Sequence, residues 1–468
     1  MTASAAGGPL AAANGGVSFW WQQLGGPPPA RDPLPGDLSV DVCIVGAGYT
    51  GLWTAYYLKT LQPDLRIVVL EARFAGFGAS GRNGGWLANN VTGGREQYVR
   101  SHGRDAAQAQ QEAMNSSLAE VVDIASREGI DADIALGGEY TVARNPAQLA
   151  RLKDFAASEQ TWRSTDVELL DAVQTRRRVD VTGALGAAWH PHCACIQPAK
   201  LARGLAAAVE RLGVTIHEDT VVEEITPGQA RTRRGTVRAD HVIRATEGFT
   251  ADLRGEHRTW LPMNSSIIVT DPIPAEVWER IGWTDRGALG DAAHVYMYAQ
   301  RTADDRIAFG GRGVPYRYGS RVDSDGATQE WTVRDLTRLL HEFFPAVAEV
   351  PVAHAWSGVL AVPRDWSATV AFDHSTGLGH AGGYVGTGVT ATHLAGRTLA
   401  DLVLRRDTAV TRLPWVGHRS RRWEIEPLRW IAVHGLYAAY RAADRVEATG
   451  RRDTTARIAQ AANLVSGL

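Results

Sequence analysis

Two kinds of apolar spacing alternate along the chain, beginning near residue 40. A β-branched run, Val40, Val42, Ile44 and Val45, predicts a buried strand. Helical spacing follows over residues 52–58, and Ile67–Leu70 is a second apolar run that ends at Glu71. Later, Leu201, Leu205, Val209 and Leu212 fall on one helix face behind Pro198, and Gly213 predicts the stop. Strands are expected at 214–217, 221–225, 266–270, 294–299 and 306–311, the 294–299 strand carrying Tyr296 and Tyr298 on one face. A loop at 316–330 and a helix over 331–344, ending before Pro345, come next. Gly382, Gly383, Gly386 and Gly388 open an apolar helix over about 389–404. At the ends, the Ala/Gly-rich residues 1–16 read as disordered or irregular, while Phe19, Trp20 and Trp21 are expected to dock back onto the body. Pro427 opens a last helical stretch with Leu428, Ile431, Leu436, Tyr437 and Tyr440, expected as a cap on the body or a subunit contact.

The join between the first strand and helix carries chemistry. Gly46, Gly48 and Gly51 stand at G-x-G-x-x-G spacing, which permits a tight turn, close approach to a pyrophosphate and close helix–strand packing. The helix N-terminus favours phosphate, and Glu71, twenty residues after Gly51, is placed to accept from a ribose diol. Residues 75–87, AGFGASGRNGGWL, hold Gly76, Gly78, Gly81, Gly84 and Gly85, a run whose backbone can wrap a planar ligand. A second glycine-rich helix entry at 382–388 offers a dipole to negative charge on such a ligand. Two separated clasps suit a bulky second ring system better than a nicotinamide alone.

Composition narrows the class without deciding it. With 468 residues the chain has room for two or three domains, and 44% apolar with 21% charged residues is ordinary for a globular protein. A net charge of −2 gives no reason to expect nucleic acid. Three cysteines, Cys43, Cys193 and Cys195, make no disulfide framework and fit a reducing cytoplasm. No run approaches the length of a membrane span, and neither a span nor a secretory signal is expected. His190, His192, Cys193 and Cys195 lack zinc-site spacing and, on one alternating strand, would put histidines and cysteines on opposite faces; no metal is expected.

The segments GAGYTG, LEA and GASGRNGG resemble the FAD-dependent D-amino acid oxidase superfamily, in particular its glycine, sarcosine and γ-glutamylputrescine oxidase branch. The resemblance continues through GGEYTVA at 137–143, the return at 197–222, the Trp356-Ser-Gly358 strand and GGYVGTGVTATHLAGR at 382–397, covering roughly residues 35–405. It implies an α/β fold: a Rossmann-type FAD-binding domain (37–100, 191–250, 355–410) interleaved with a mixed-sheet α+β substrate domain (101–190, 251–354). Residues 1–36 form an N-terminal arm and 411–468 a helical C-terminal extension. Besides Gly46, Gly48, Gly51 and Glu71, the implied FAD contacts are Ala72, Ala79, Ser80, Arg82, Asn83, Gly84, Gly85, Trp86, Leu87 and Val222. Gly358, Gly383, Tyr384, Gly386, Thr387, Gly388, Val389 and Thr390 complete them. At Glu247 the family usually has Asn, so the polar contact made by that Asn does not carry over.

The activity implied is oxidation of a C–N bond in an amine or amino-acid-like substrate to an imine, with non-covalent FAD reoxidised by O2 to give H2O2. A dehydrogenase of the same fold, serving a quinone or carrier protein, and a flavin-binding module without turnover stay open. No catalytic base announces itself. An anionic substrate group would want an Arg with nearby Tyr hydroxyls. The candidates are Arg82, Arg301 and Arg312, with Tyr296, Tyr298, Trp356 and Tyr384 as walls. Oligomeric state and the identity of the substrate are left open.

Overall fold

The structure is a computed structural model that describes residues 10–322 and 325–467. Its first sheet is built on the glycine-rich motif. Leu38–Val45 lies between Ile67–Leu70 and Gly235–Arg244, all parallel, with Thr215–His217 beyond Ile67–Leu70. Residues 42–45 and 67–70 are buried throughout, as a parallel sheet covered on both faces requires. Val222–Thr226 and Gln229–Thr232 extend the other edge, and Leu378–Gly382 pairs with the end of Gly235–Arg244. Helix Tyr49–Leu61 covers one face and packs against helix Gly388–Val403. Gly396 allows that approach, because a Cβ there would stand 2.5 Å from the Cβ of Trp53.

The second sheet has nine strands among the described residues and is mostly antiparallel. Glu139–Ala143, Gly186–His190 and Glu168–Asp171 form one side; Ala288–Asp291 joins them in parallel through Glu139–Ala143. Tyr298–Arg301, Ile307–Gly311, Leu261–Thr270 and Val352–Val362 continue it, and Ala13–Asn14 is its ninth strand. Two expected boundaries fall elsewhere in the structure. Val352–Val362 runs across residue 355 as one strand, held to Leu261–Thr270 over its length, so its second half belongs to this sheet. Helix Arg104–Arg127, expected with the substrate domain, buries Met114, Leu118 and Val121 in the core of the nucleotide-type sheet.

The expected strand at 294–299 is shorter and later, Tyr298–Arg301. Residues 292–297 turn instead, with Asp291 Oδ1 accepting from Met297 N at 2.9 Å. The irregular arm expected over 1–16 lies partly outside the described residues, but Ala13–Asn14 adds a short parallel strand to Val352–Val362. Phe19, Trp20 and Trp21 are buried with Phe77 and Trp356.

Helix Leu428–Glu447, which helix Arg457–Ser466 follows, meets the body through both polar and apolar residues. Arg429, Val433, Ala443 and Glu447 are buried, whereas Leu428 and Ile431 are exposed. No helix among the described residues is long and apolar enough to cross a membrane.

Candidate active site

A cavity of about 610 Å³ is lined by residues of both sheets. Its nucleotide end is the glycine turn. Gly46 has φ +107°, and a Cβ there would lie 2.5 Å from the carbonyl oxygen of Ala245. A Cβ at Gly51 would sit 2.0 Å from Gly46 O, so this glycine serves helix–strand packing and does not itself line the cavity. Gly48 caps helix Tyr49–Leu61 without a side-chain cap of its own, leaving the first turn directed at the cavity. Glu71 holds the turn by accepting from Ala47 N (2.8 Å) and Arg73 N (3.0 Å). Burial raises its carboxyl pKa, against the pull of those two amides. Each oxygen has lone-pair capacity left for a diol. Ala72 and Val222 line the same end.

The second glycine-rich loop is fixed from behind. Its successive carbonyls at Gly81, Arg82 and Asn83 accept from Ser18 Oγ (2.7 Å), Trp356 Nε1 (2.8 Å) and Trp20 Nε1 (2.9 Å). Ser80 Oγ accepts from Tyr49 N at 2.8 Å, tying loop to helix start. Asn83 Oδ1 accepts from Gly85 N at 2.7 Å. Ala79, Ser80, Arg82, Asn83, Gly84 and Trp86 face the cavity, whereas Gly85 and Leu87 do not line it. The late segment arrives opposite. Thr50 Oγ1 and Tyr384 Oη, 334 positions apart, are 3.0 Å from one another, and Thr92 bonds Thr387 at 2.9 Å. Gly358, Tyr384, Gly386, Thr387, Gly388 and Val389 line the cavity; Gly383 and Thr390 lie behind it.

Glu247 joins the late segment to the site. Its Oε2 accepts from Gly383 N (2.9 Å), and Oε1 from Ala361 N (3.1 Å) and Tyr384 N (3.3 Å). Burial pushes its carboxyl from the ordinary 4.5 up to about 7, with the three amides and Arg244 pulling the other way. This side chain thus grips the chain's own turn while also lining the cavity.

The remaining wall comes from the nine-stranded sheet. Tyr298 Oη is 2.8 Å from Ser265 Oγ, and burial pushes its phenol up to about 12, so it stays a neutral hydroxyl. Arg312 Nη2 donates to Tyr296 Oη at 3.2 Å, while Nη1 is buried with no hydrogen-bond partner among the described residues. No acidic side chain pairs with Arg312 among the described ion pairs, although the cavity also presents Glu139 and Asp291. Burial pushes the Asp291 carboxyl up to about 7.

Of the candidate substrate residues, the structure brings Arg82, Tyr296, Tyr298, Arg312 and Tyr384 to the cavity. Arg82 is 3% exposed and spends Nε on Phe77 O (2.8 Å) and Nη1 on Ser357 O (3.4 Å), which makes it a brace for the loop. Arg301 and Trp356 are elsewhere. Arg301 pairs with Asp305 and lies 4.0 Å from the Trp278 ring. Trp356 is fully buried between Phe19 and Trp20, with its indole used to hold the glycine loop.

The histidine–cysteine cluster also differs from expectation. Gly186–His190 and Cys193–Cys195 are separate strands, not one. His192 bonds Asp166 at 2.7 Å, and burial pushes the Cys195 thiol up to about 12.

Glu139, Asp291, Ser265, Met297 and Leu360 line the cavity without having been expected there. Nothing local in the sequence marks them; their strands' pairing brings them in.

Comparison with known proteins adds a family to this geometry. A model described as FAD dependent oxidoreductase matches residues 41–402. The chain belongs to this family. The γ-glutamylputrescine oxidoreductase of Escherichia coli (strain K12) is 32% identical over 378 residues, spanning 80% of this chain and 85% of that protein. Glycine oxidase from Geobacillus kaustophilus shares the fold, with a TM-score of 0.68 at 20% identity over 82% of this chain and all of that one. L-proline dehydrogenase from P. horikoshii does too, with a TM-score of 0.65 at 19% identity, over 81% and 96% of the two chains. As a member of the family, this chain is an FAD-dependent oxidoreductase. The glycine turn that excludes a Cβ, the Glu71 carboxylate and the helix start after Gly48 fit the cofactor's pyrophosphate and ribose.

Proposed function

We propose that this FAD-dependent oxidoreductase is an oxidase of amines that carry a carboxylate, releasing H2O2. The observation supporting this is Arg312, a guanidinium on the cavity wall beside two phenols, with Nη1 unbonded among the described residues. A half-buried cation without an acidic partner among the described ion pairs favours an anionic ligand group, and the guanidinium fork suits a carboxylate. γ-Glutamylputrescine, the substrate in the name of the E. coli relative, has such a carboxylate at one end and a primary amine at the other.

When bound, FAD supplies the two-electron acceptor for a hydride from the carbon beside the amine nitrogen. The residues do the rest by position. Arg312 and Tyr296 hold the carboxylate, which fixes the distance from it to the amine. Trp86, Met297 and Leu360 shield the amine from water and favour its neutral form. The start of helix Gly388–Val403 lies at the cavity, uncapped by its own Thr387, where it favours negative charge. Hydrolysis of the imine product gives a carbonyl compound and ammonia or an amine.

Non-covalent FAD follows from the lining, which contains neither histidine nor cysteine among the described residues. Acid precipitation is expected to leave the yellow colour in solution; colour in the pellet would contradict this.

The reaction is tested by anaerobic flavin bleaching with γ-glutamylputrescine, sarcosine, D-alanine, aminomethylphosphonate and simple alkylamines, followed by admission of air. Rapid reoxidation with one peroxide per substrate supports the oxidase. Slow reoxidation, relieved by a quinone, assigns the chain to the dehydrogenases instead. The absence of bleaching by every amine would overturn turnover altogether.

A further inference from the structure

We propose that helix Leu428–Glu447, beyond the part of the chain that the family model matches, sets the Tyr296–Arg312 pair for the anionic end of the substrate from behind the cavity lining, with Asp444 and Arg441 as positioning residues. This rests on the reading of Arg312 as the carboxylate anchor. The helix grips the chain on both sides of the Tyr296–Arg312 pair. Upstream, Asp444 accepts from His294 N (2.9 Å) and Val295 N (3.0 Å), the two residues before Tyr296. Glu447 Oε1 is 3.0 Å from His294 Nε2. Downstream, Arg441 Nη2 donates to Gly313 O at 3.0 Å, directly after Arg312, and His434 Nε2 reaches Tyr316 O at 2.9 Å.

These bonds matter because Tyr296 lies outside the sheet ladder. Residues 292–297 form a turn whose backbone amides bond to Val142 O, Asp444 and Asp291. A carboxylate that accepts two consecutive amides fixes the local backbone and therefore the direction of the next side chain. The helix is itself clamped: Glu447, fully buried, also takes bonds from Arg151 Nη1 (2.8 Å) and Ala456 N (2.8 Å). Helix Leu428–Glu447 contributes no described residue to the cavity lining itself; Tyr437 packs against the same apolar cluster as Leu360, which does line it. A helix held this way reads out as selectivity for the anionic end of the substrate, not as turnover.

The test compares γ-glutamylputrescine with γ-aminobutyrylputrescine, which differs only by loss of the carboxylate, in anaerobic reduction of the holoenzyme. Asp444→Ala is expected to raise the half-saturating γ-glutamylputrescine concentration about tenfold, and Arg441→Met about threefold, with limiting rates within about twofold. Both variants should handle γ-aminobutyrylputrescine as the parent enzyme does, and Asp444→Asn, which keeps one acceptor, should recover part of the loss. Equal shifts for the two substrates, or a fall in limiting rate alone, would overturn the proposal. Should Asp444→Ala fail to fold, Arg441→Met decides, since it removes the bond to Gly313 O and keeps the apolar stem. Arg312→Leu separates the layers. If it abolishes the preference for the carboxylated substrate and the helix variants do not, only the helix proposal fails. If Arg312→Leu leaves the preference intact, or if no carboxylated amine bleaches the flavin, the anchor reading fails and this inference with it.

Discussion

Gly46 combines φ +107° with 2.5 Å between a would-be Cβ and Ala245 O, so no side chain fits without moving the neighbouring strand. Gly46→Ala is expected to cost about 1–3 kcal/mol and to weaken FAD binding at least about tenfold. The flavin content of purified protein checks this; full occupancy would contradict it. Glu247 supplies a pH signature. Its carboxyl keeps a proton up to about 7 in the folded protein, against 4.5 as its ordinary value. The folded state therefore binds more protons in that window, so this contribution to stability is complete below pH 4.5 and is lost as pH rises through 7. Asp291, pushed from 3.8 to about 7, acts with the same sign. Glu247→Gln should flatten the fall in urea midpoint between pH 4.5 and 7, measured with excess FAD, and leave the part due to Asp291; an unchanged slope would contradict this. At this scale the tight turn at Gly46 and the close helix–strand packing at Gly51 were legible, because each answers to a local constraint. Arg312 and Arg301 were not separable, since both flank the same sheet and only the pairing of strands turns one toward the cavity and the other toward Asp305.

Among elements, the N-terminal arm matters more than its irregular composition suggests. Trp20 is 1% exposed, its ring centroid 5.7 Å from that of Trp356, and its indole holds the carbonyl of Asn83. Trp20→Ala is expected to destabilise the protein by about 3–5 kcal/mol and, by loosening the glycine-rich loop, to lower FAD affinity as well. Thermal unfolding and flavin titration together check it; lost stability at unchanged affinity would show the arm to be packing only. The docking of the aromatic cluster was legible from the cost of exposing it. The turn at 292–297 was not. Its apolar and polar residues alternate as a strand would, yet Asp291 and Asp444 take the amides that a ladder would have used. The C-terminal helix was legible as a helix, but its docking face was not, because Arg429, Arg441, Asp444 and Glu447 act through specific bonds that hydrophobic spacing cannot reveal.

For the molecule as a whole, two sheets meet around one cavity, and the chain crosses between them repeatedly to build it. That interleaving was legible through the resemblance, which located the glycine-rich segments at both ends of the family match. The pocket chemistry was less so, because Glu139, Asp291, Arg312 and Leu360 come together only after the nine-stranded sheet has paired. The central claim, that the pocket oxidises amines selected by a carboxylate, is tested most directly by anaerobic reduction of the wild-type flavin with γ-glutamylputrescine and with γ-aminobutyrylputrescine. The carboxylated substrate is expected to bleach the flavin at a concentration at least about tenfold lower, as loss of a charge-assisted contact to Arg312 implies. Equal potency of the two, or bleaching by the decarboxylated one alone, would contradict it.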